Sequence, residues 1–191
     1  AREREALFLD TRSLHYERIP LPVSLDLIIV DSGLAHRHAG GGYTTRRAES
    51  EHAARLLGVA LLRDMSTEDL PRLSALPPVL ARRARHVVTE NSRVLAAVEA
   101  LRQDDAVRLG QLFTASHASM RDDYEVSTPD IDALVSCARS DPDVWGARLT
   151  GGGFGGAVVA IAHPGRASAA AARIADGYRA ATGRTGRVLV P

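Results

Sequence analysis

The segment Gly151-Gly152-Gly153-Phe154-Gly155-Gly156 constrains this chain more than any other. Five glycines in six positions open backbone shapes, positive φ among them, that other residues adopt only at a cost. The flanks are strand-like: Gly146 to Thr150 before the loop, and the apolar run Ala157 to Ala162 after it. Such a loop can close a tight turn, turn main-chain N–H groups toward an anion, or let another segment approach closely. It is not a nucleotide P-loop, because no lysine follows, and it is not the dinucleotide fingerprint, because it leads into a strand rather than a helix.

The rest of the pattern is mixed. Ala6 to Asp10, Leu14 to Leu21 and Leu25 to Val30 read as strands, and together predict a β-meander over about residues 6 to 31. The last of the three is a nearly continuous apolar run, as in a buried central strand. A polar loop from Asp31 to Gly42 follows, then a helix from Tyr43 to Leu57. Ser66 and Asp69 form a capping-box pattern, and Pro71, Pro77 and Pro78 interrupt the next stretch. A long helix runs from Val79 to Gln103, with Val87, Val88, Val94, Leu95, Val98 and Leu101 marking its apolar face. Asp104-Asp105 starts another helix, and Thr128-Pro129 a third: a capping hydroxyl, then proline in the first turn. Pro164 to Ala181 is helical and Arg187 to Val190 is a final strand. The expected class is α+β, with helices over one face of an antiparallel sheet.

Composition narrows the function. Lys+Arg is 24 against Asp+Glu 23, so nothing electrostatic favours a nucleic acid or an anionic membrane surface as partner. All the Lys+Arg positions are arginine, which removes Schiff-base and phosphate-loop lysine chemistry. The single Cys137 excludes an internal disulfide framework and a multi-cysteine zinc site. No apolar run reaches bilayer length, and the first residues lack an apolar signal core, so a cytoplasmic location is expected.

Three further segments could carry chemistry. Asp122, Asp123 and Glu125 beside Arg121 could bind a metal or move protons, or could simply end a helix. Tyr43, at the mouth of a loop, offers an aromatic face and a hydroxyl to a sugar. Around it, Arg46 and Arg47 could meet phosphate, while His36 and His38 lack an obvious third metal ligand and read as loop residues. Arg82, Arg83, Arg85 and His86 read as a solvated helix face from which one member could turn inward to pair.

Taken together, these segments resemble one family. Trp145 to Gly156 is similar to the third conserved motif of the galactokinases, in the GHMP kinase superfamily. Tyr43-Thr44-Thr45-Arg46-Arg47, Arg83 to Glu90, Ser116-His117 and Arg121 to Ser127 fall in that family's order, so the resemblance covers essentially the whole chain. It implies a GHMP kinase C-terminal domain, a ferredoxin-like α/β sandwich with extra helices, over 32–191. Residues 1–31 would be strands of an N-terminal kinase domain.

The resemblance further implies transfer of the γ-phosphoryl group of ATP to the 1-hydroxyl of D-galactose, with Mg²⁺. The sugar-recognition motif, the Gly/Ser phosphate loop and the catalytic aspartate of the family have no match here. No catalytic residue and no metal ligand is therefore assigned. Tyr43 matches the substrate-binding tyrosine; Gly151, Gly152, Gly153, Phe154, Gly155 and Gly156 match a loop supporting the active site. Asp122, Asp123 and Arg148 match positions expected to make structural hydrogen bonds. Residues 25 to 30 are expected to bury their side chains on the other domain, so this chain alone should be inactive and self-associate. A non-catalytic galactose- and ATP-binding regulatory relative, or a kinase for another sugar, is the alternative.

Overall fold

A computed structural model describes residues 4–34 and 39–190. Strands β1 (Glu5–Leu9) and β2 (Tyr16–Pro20) form an antiparallel hairpin of their own. Its turn is local chemistry: the Asp10 carboxylate accepts from the Arg12 N–H and the Ser13 hydroxyl, both at 2.9 Å. Strands β3 (Asp26–Asp31), β4 (Val144–Thr150), β5 (Ala157–Ala162) and β6 (Arg187–Val190) form a second sheet in the order β4-β5-β3-β6. Each neighbour is antiparallel. Helices α1 (Ala39–Leu57), α2 (Pro78–Arg102), α3 (Ala106–Asp122) and α4 (Pro129–Arg139) connect β3 to β4. Helix α5 (Ala167–Thr182) connects β5 to β6. Numbered in chain order within the sheet, the strands run 4-1-3-2 from β6, which is the ferredoxin-like arrangement.

The meander expected over residues 6 to 31 does not form. β3 leaves the hairpin and takes the interior of the larger sheet, with Ile28 opposite Ala160 and Val30 opposite Val158. A continuous apolar run needs cover on both faces, and the sheet supplies it. Ile28 and Val30 enter a core with Ile131, Leu134, Ile174 and Tyr178, while Leu25 and Leu27 face Leu109, Leu112 and Ile161. The burial expected on another domain is thus made within this chain, while the hairpin forms a separate two-stranded sheet.

Helices cover both faces rather than one. α4 and α5 lie over the face that carries Ala147, Leu149, Val158 and Ala160. The end of α2 and the first turns of α3 cover part of the other face around Ile161. α3 packs closely against β4, an edge strand, because a glycine from each meets there: a Cβ on Gly146 would lie inside the Gly110 peptide. A third cluster joins Ala53 and Ala54 of α1 to Leu80, Ala84 and Val88 of α2, through Leu62, Met65, Leu73 and Leu76.

The helix starts follow local rules. Thr128 Oγ1 accepts from the Ile131 N–H at 3.3 Å, with Pro129 in the first turn. Asp105 caps α3 by accepting from the Arg108 N–H at 2.8 Å. The Ser66/Asp69 box caps a 3₁₀ stretch, Thr67–Ala75, which carries Pro71 within it. Two expectations change. α1 begins at Ala39, so Gly40, Gly41 and Gly42 belong to the helix and not to the loop before it. Val94 and Leu95, placed on the apolar face of α2, are 41% and 54% exposed and line a cleft of about 790 Å³ beneath the hairpin. Arg63–Asp10 at 2.7 Å, Arg12–Asp64 at 2.5 Å and Arg102–Glu17 at 2.7 Å fix the hairpin above it. Among the described residues no helix is long and apolar enough to cross a membrane.

Candidate functional site

The glycine loop joins β4 to β5 and is pinned from two sides. Gly151, Gly153, Gly155 and Gly156 have φ of +93°, +83°, +133° and +89°, and Phe154 has +60°. Only glycine takes these values freely. At Gly153 a Cβ would lie 2.6 Å from Val126. The Phe154 N–H donates to the Val126 carbonyl at 2.7 Å. On the other side the Gly156 carbonyl accepts from the Ser32 N–H at 2.9 Å and the Ser32 hydroxyl at 2.6 Å. The Tyr178 hydroxyl donates in turn to the Ser32 carbonyl at 3.1 Å. Gly151 and Gly152 form the open corner, exposed and with nothing near where a Cβ would stand.

The start of α1 lies against this loop: a Cβ on Gly42 would stand 2.6 Å from Phe154 Cζ. Tyr43 comes next in the helix and is 54% exposed. The structure thus brings α1, through Gly42, onto Phe154. His36 and His38 lie outside the described residues.

The connection from Asp123 to Val126 ties these parts together. Arg46 of α1 donates to the Tyr124 carbonyl at 2.6 Å, the Glu125 carbonyl at 3.3 Å and Glu49 at 3.0 Å. Arg83 is the member of the basic stretch that turns inward, and it is 2% exposed. Its guanidinium donates to Glu49 at 2.7 Å, the Asp123 carbonyl at 2.6 Å and Glu125 at 2.6 Å. The Arg83 hydrogen bond holds Glu125 below the usual glutamate range, with Arg82 adding to it. Helices α1 and α2 and the glycine loop all grip one short segment. The buried placement of Arg83 was open in the sequence; the roles of Arg46, Glu49 and Glu125 around it were not read there. Their only local trace is the three-residue spacing of Arg46 and Glu49.

Two buried histidines serve structure. Ser119 donates its hydroxyl to Asp123 at 3.0 Å, so its oxygen accepts from His86 Nδ1 at 3.1 Å. The His86 ring stacks on Tyr124, 4.4 Å between centroids. Burial pushes His86 down to about 4, so it is neutral near pH 7. His117 Nδ1 accepts from the Leu149 N–H at 3.4 Å, so Nε2 carries the proton toward Asp132 at 3.2 Å. Burial lowers His117 too, against the pull of Asp132.

Arg148 of β4 donates to Glu90 of α2 at 3.0 Å, and Ser116 donates to the same carboxylate at 2.5 Å. Burial alone would raise Glu90, but Ser116, Arg148 and Arg93 hold it below its usual range. Asp122 pairs with Arg121 at 2.7 Å, and Asp123 with Arg85 at 3.3 Å. Among the described residues no group of three His, Cys, Asp or Glu is placed to hold a metal ion.

This sandwich, with its pinned glycine loop between β4 and β5, is a GHMP kinase C-terminal domain. Residues 97–180 match the family described as GHMP kinases C terminal. More narrowly, it is similar to galactokinases. It is 47% identical over 191 residues to the galactokinase of Chloroflexus aurantiacus, covering 97% of this chain and 49% of that one. The galactokinase of Haemophilus influenzae is 47% identical over 186 residues, covering 95% and 48%. A crystal structure of Lactococcus lactis galactokinase complexed with galactose superposes with a TM-score of 0.91 at 30% identity, over 98% of this chain and 50% of that one. L. major mevalonate kinase, in complex with R-mevalonate, shares the fold, with a TM-score of 0.57 at 23% identity over 90% of this chain and 45% of that one. The chain spans about half the length of the curated relatives it matches.

Proposed function

We propose that this chain is the C-terminal part of a galactokinase, which passes the γ-phosphoryl group of ATP to the 1-hydroxyl of D-galactose in galactose metabolism. The observation that carries the reading is 47% identity to a galactokinase across 97% of the chain. Phosphoryl transfer of this kind needs little covalent help from the protein; positioning and charge stabilisation do most of the work. In this reading Tyr43 touches the sugar. Gly151 to Gly156 support the pocket, because the loop is committed to Val126 and Ser32 and leaves only its Gly151-Gly152 corner open.

ATP, Mg²⁺ and the attacking hydroxyl are handled mainly by the other half of the enzyme, and the location is the cytoplasm. The β1–β2 hairpin extends that half's sheet. A two-stranded sheet is marginal alone, and Leu7, Leu9 and Tyr16 are exposed on this one. The chain by itself is inactive, and its uncovered hairpin promotes self-association.

The test is complementation. This chain is co-expressed with the N-terminal half of the Chloroflexus aurantiacus galactokinase, and ADP release is followed with galactose, arabinose and glucose in turn. Galactose-dependent release from the pair, and from neither piece alone, is expected. Release with another sugar instead would reassign the substrate. A folded, associated pair that releases no ADP would make this a binding relative without turnover.

A further inference from the structure

The geometry points to Phe154 as a positioning residue for Tyr43: its ring is the seat on which the first turns of α1 rest. The inference builds on the proposed sugar contact of Tyr43 and gives the glycine loop a specific task within it.

Phe154 is a non-glycine residue held at φ +60°. A bulky side chain stays in that region only where its surroundings over-determine it. Here they do. Its N–H is spent on the Val126 carbonyl at 2.7 Å, and Gly153 before it is pressed onto Val126 so closely that no Cβ fits. The segment that receives these contacts is the one Arg46 and Arg83 clamp. The ring therefore projects from a fixed base.

The face of the ring, at its far end, meets α1. A Cβ on Gly42 would lie 2.6, 2.7 and 2.9 Å from Cζ, Cε2 and Cε1 of Phe154. Glycine is a poor helix former, so its presence inside α1 answers to this close approach. Tyr43 follows Gly42 directly. A shift of the backbone at residue 42 carries the Tyr43 hydroxyl with it, and a displacement of a few tenths of an ångström is felt by a hydrogen bond. A second anchor of α1, Arg46, fixes the helix one turn further on.

The experiment uses the assembled pair of halves with F154L, G42A and the double variant. F154L removes the ring tip; G42A pushes against it. Each single change is expected to raise the KM for galactose about tenfold, the worth of one well-placed hydrogen bond. The kcat and the KM for ATP should stay at their parent values. The double variant should recover much of the loss, because the new methyl occupies the space the ring tip vacated. A fall in kcat with the galactose KM unchanged would mean that fewer molecules fold and would overturn the proposal. Additive effects of the two changes would overturn it as well.

If the parent pair shows no galactose-dependent activity, the functional reading fails on its own. The seat is then decided by NMR of the pair: Gly42 Hα protons shifted upfield by the ring, with Tyr43 ring signals that move in F154L, support it. Unshifted Gly42 protons overturn it.

Discussion

Replacing Arg83 by methionine should loosen the segment on which the candidate site is built. The residue is 2% exposed and makes three hydrogen bonds, to Glu49, the Asp123 carbonyl and Glu125. Removing one partner of a fully buried ion pair costs about 3–5 kcal/mol. Two observations reduce that figure. The Glu49 and Glu125 side chains are 23% and 40% exposed, so water reaches both. Each also keeps an arginine: Glu49 keeps Arg46 at 3.0 Å, and Glu125 keeps Arg82 at 2.8 Å. The loss that remains is the orphaned Asp123 carbonyl and part of the charge pairing, about 2–3 kcal/mol. With an m-value of about 2 kcal/mol/M, the urea midpoint should fall by roughly 1 M. Circular dichroism during a urea titration reads it. R83K should fall between the parent and R83M, because an ammonium cannot reach three acceptors in the directions the guanidinium fork does. An R83M midpoint equal to the parent's would refute the claim that this arginine organises the clamp.

Gly146→Ala should be among the most damaging single-methyl additions, because the obstacle is the Gly110 backbone rather than a yielding side chain. A loss of about 3 kcal/mol or more is expected in thermal or urea unfolding. Stability should also fall on acidification. His86 drops from 6.5 to about 4 in the fold because burial disfavours its charged form. A base with a depressed folded pKa binds its proton less readily folded than unfolded. Its contribution is therefore complete above pH 6.5 and lost progressively between 6.5 and 4, on the order of 3 kcal/mol for His86. His117 shifts in the same direction. H86N, which keeps a donor toward Ser119, should flatten that slope in part and leave the His117 share.

Elements set by neighbouring residues were legible in the sequence. The Thr128-Pro129 start, the Ser66/Asp69 box and the strand–glycine loop–strand unit all rest on chemistry within a few positions. Strand partnership was not. The Leu25–Val30 run announces a buried strand, but nothing local says that its partners lie more than a hundred residues on, at Ala157–Ala162 and Arg187–Val190. The Gly40–Gly42 run reads as loop by propensity, yet it is helical, and Gly42 is packed under Phe154. Val94 and Leu95 follow the helical period, but the hairpin stands above them and leaves a cleft between. In the candidate site, the residue types of Tyr43 and the glycine loop were plain. The Arg46–Glu49–Arg83–Glu125 clamp was not, since its members come from three parts of the chain.

The central claim is that α1 and the glycine loop, joined through Gly42 and Phe154, build one side of a sugar site. A crystal structure of the assembled halves with galactose bound tests it most directly. The account predicts the Tyr43 hydroxyl within hydrogen-bond distance of the sugar, with Gly42 still seated on the Phe154 ring. A sugar bound away from Tyr43, or an α1 lifted off Phe154 in the complex, would contradict it.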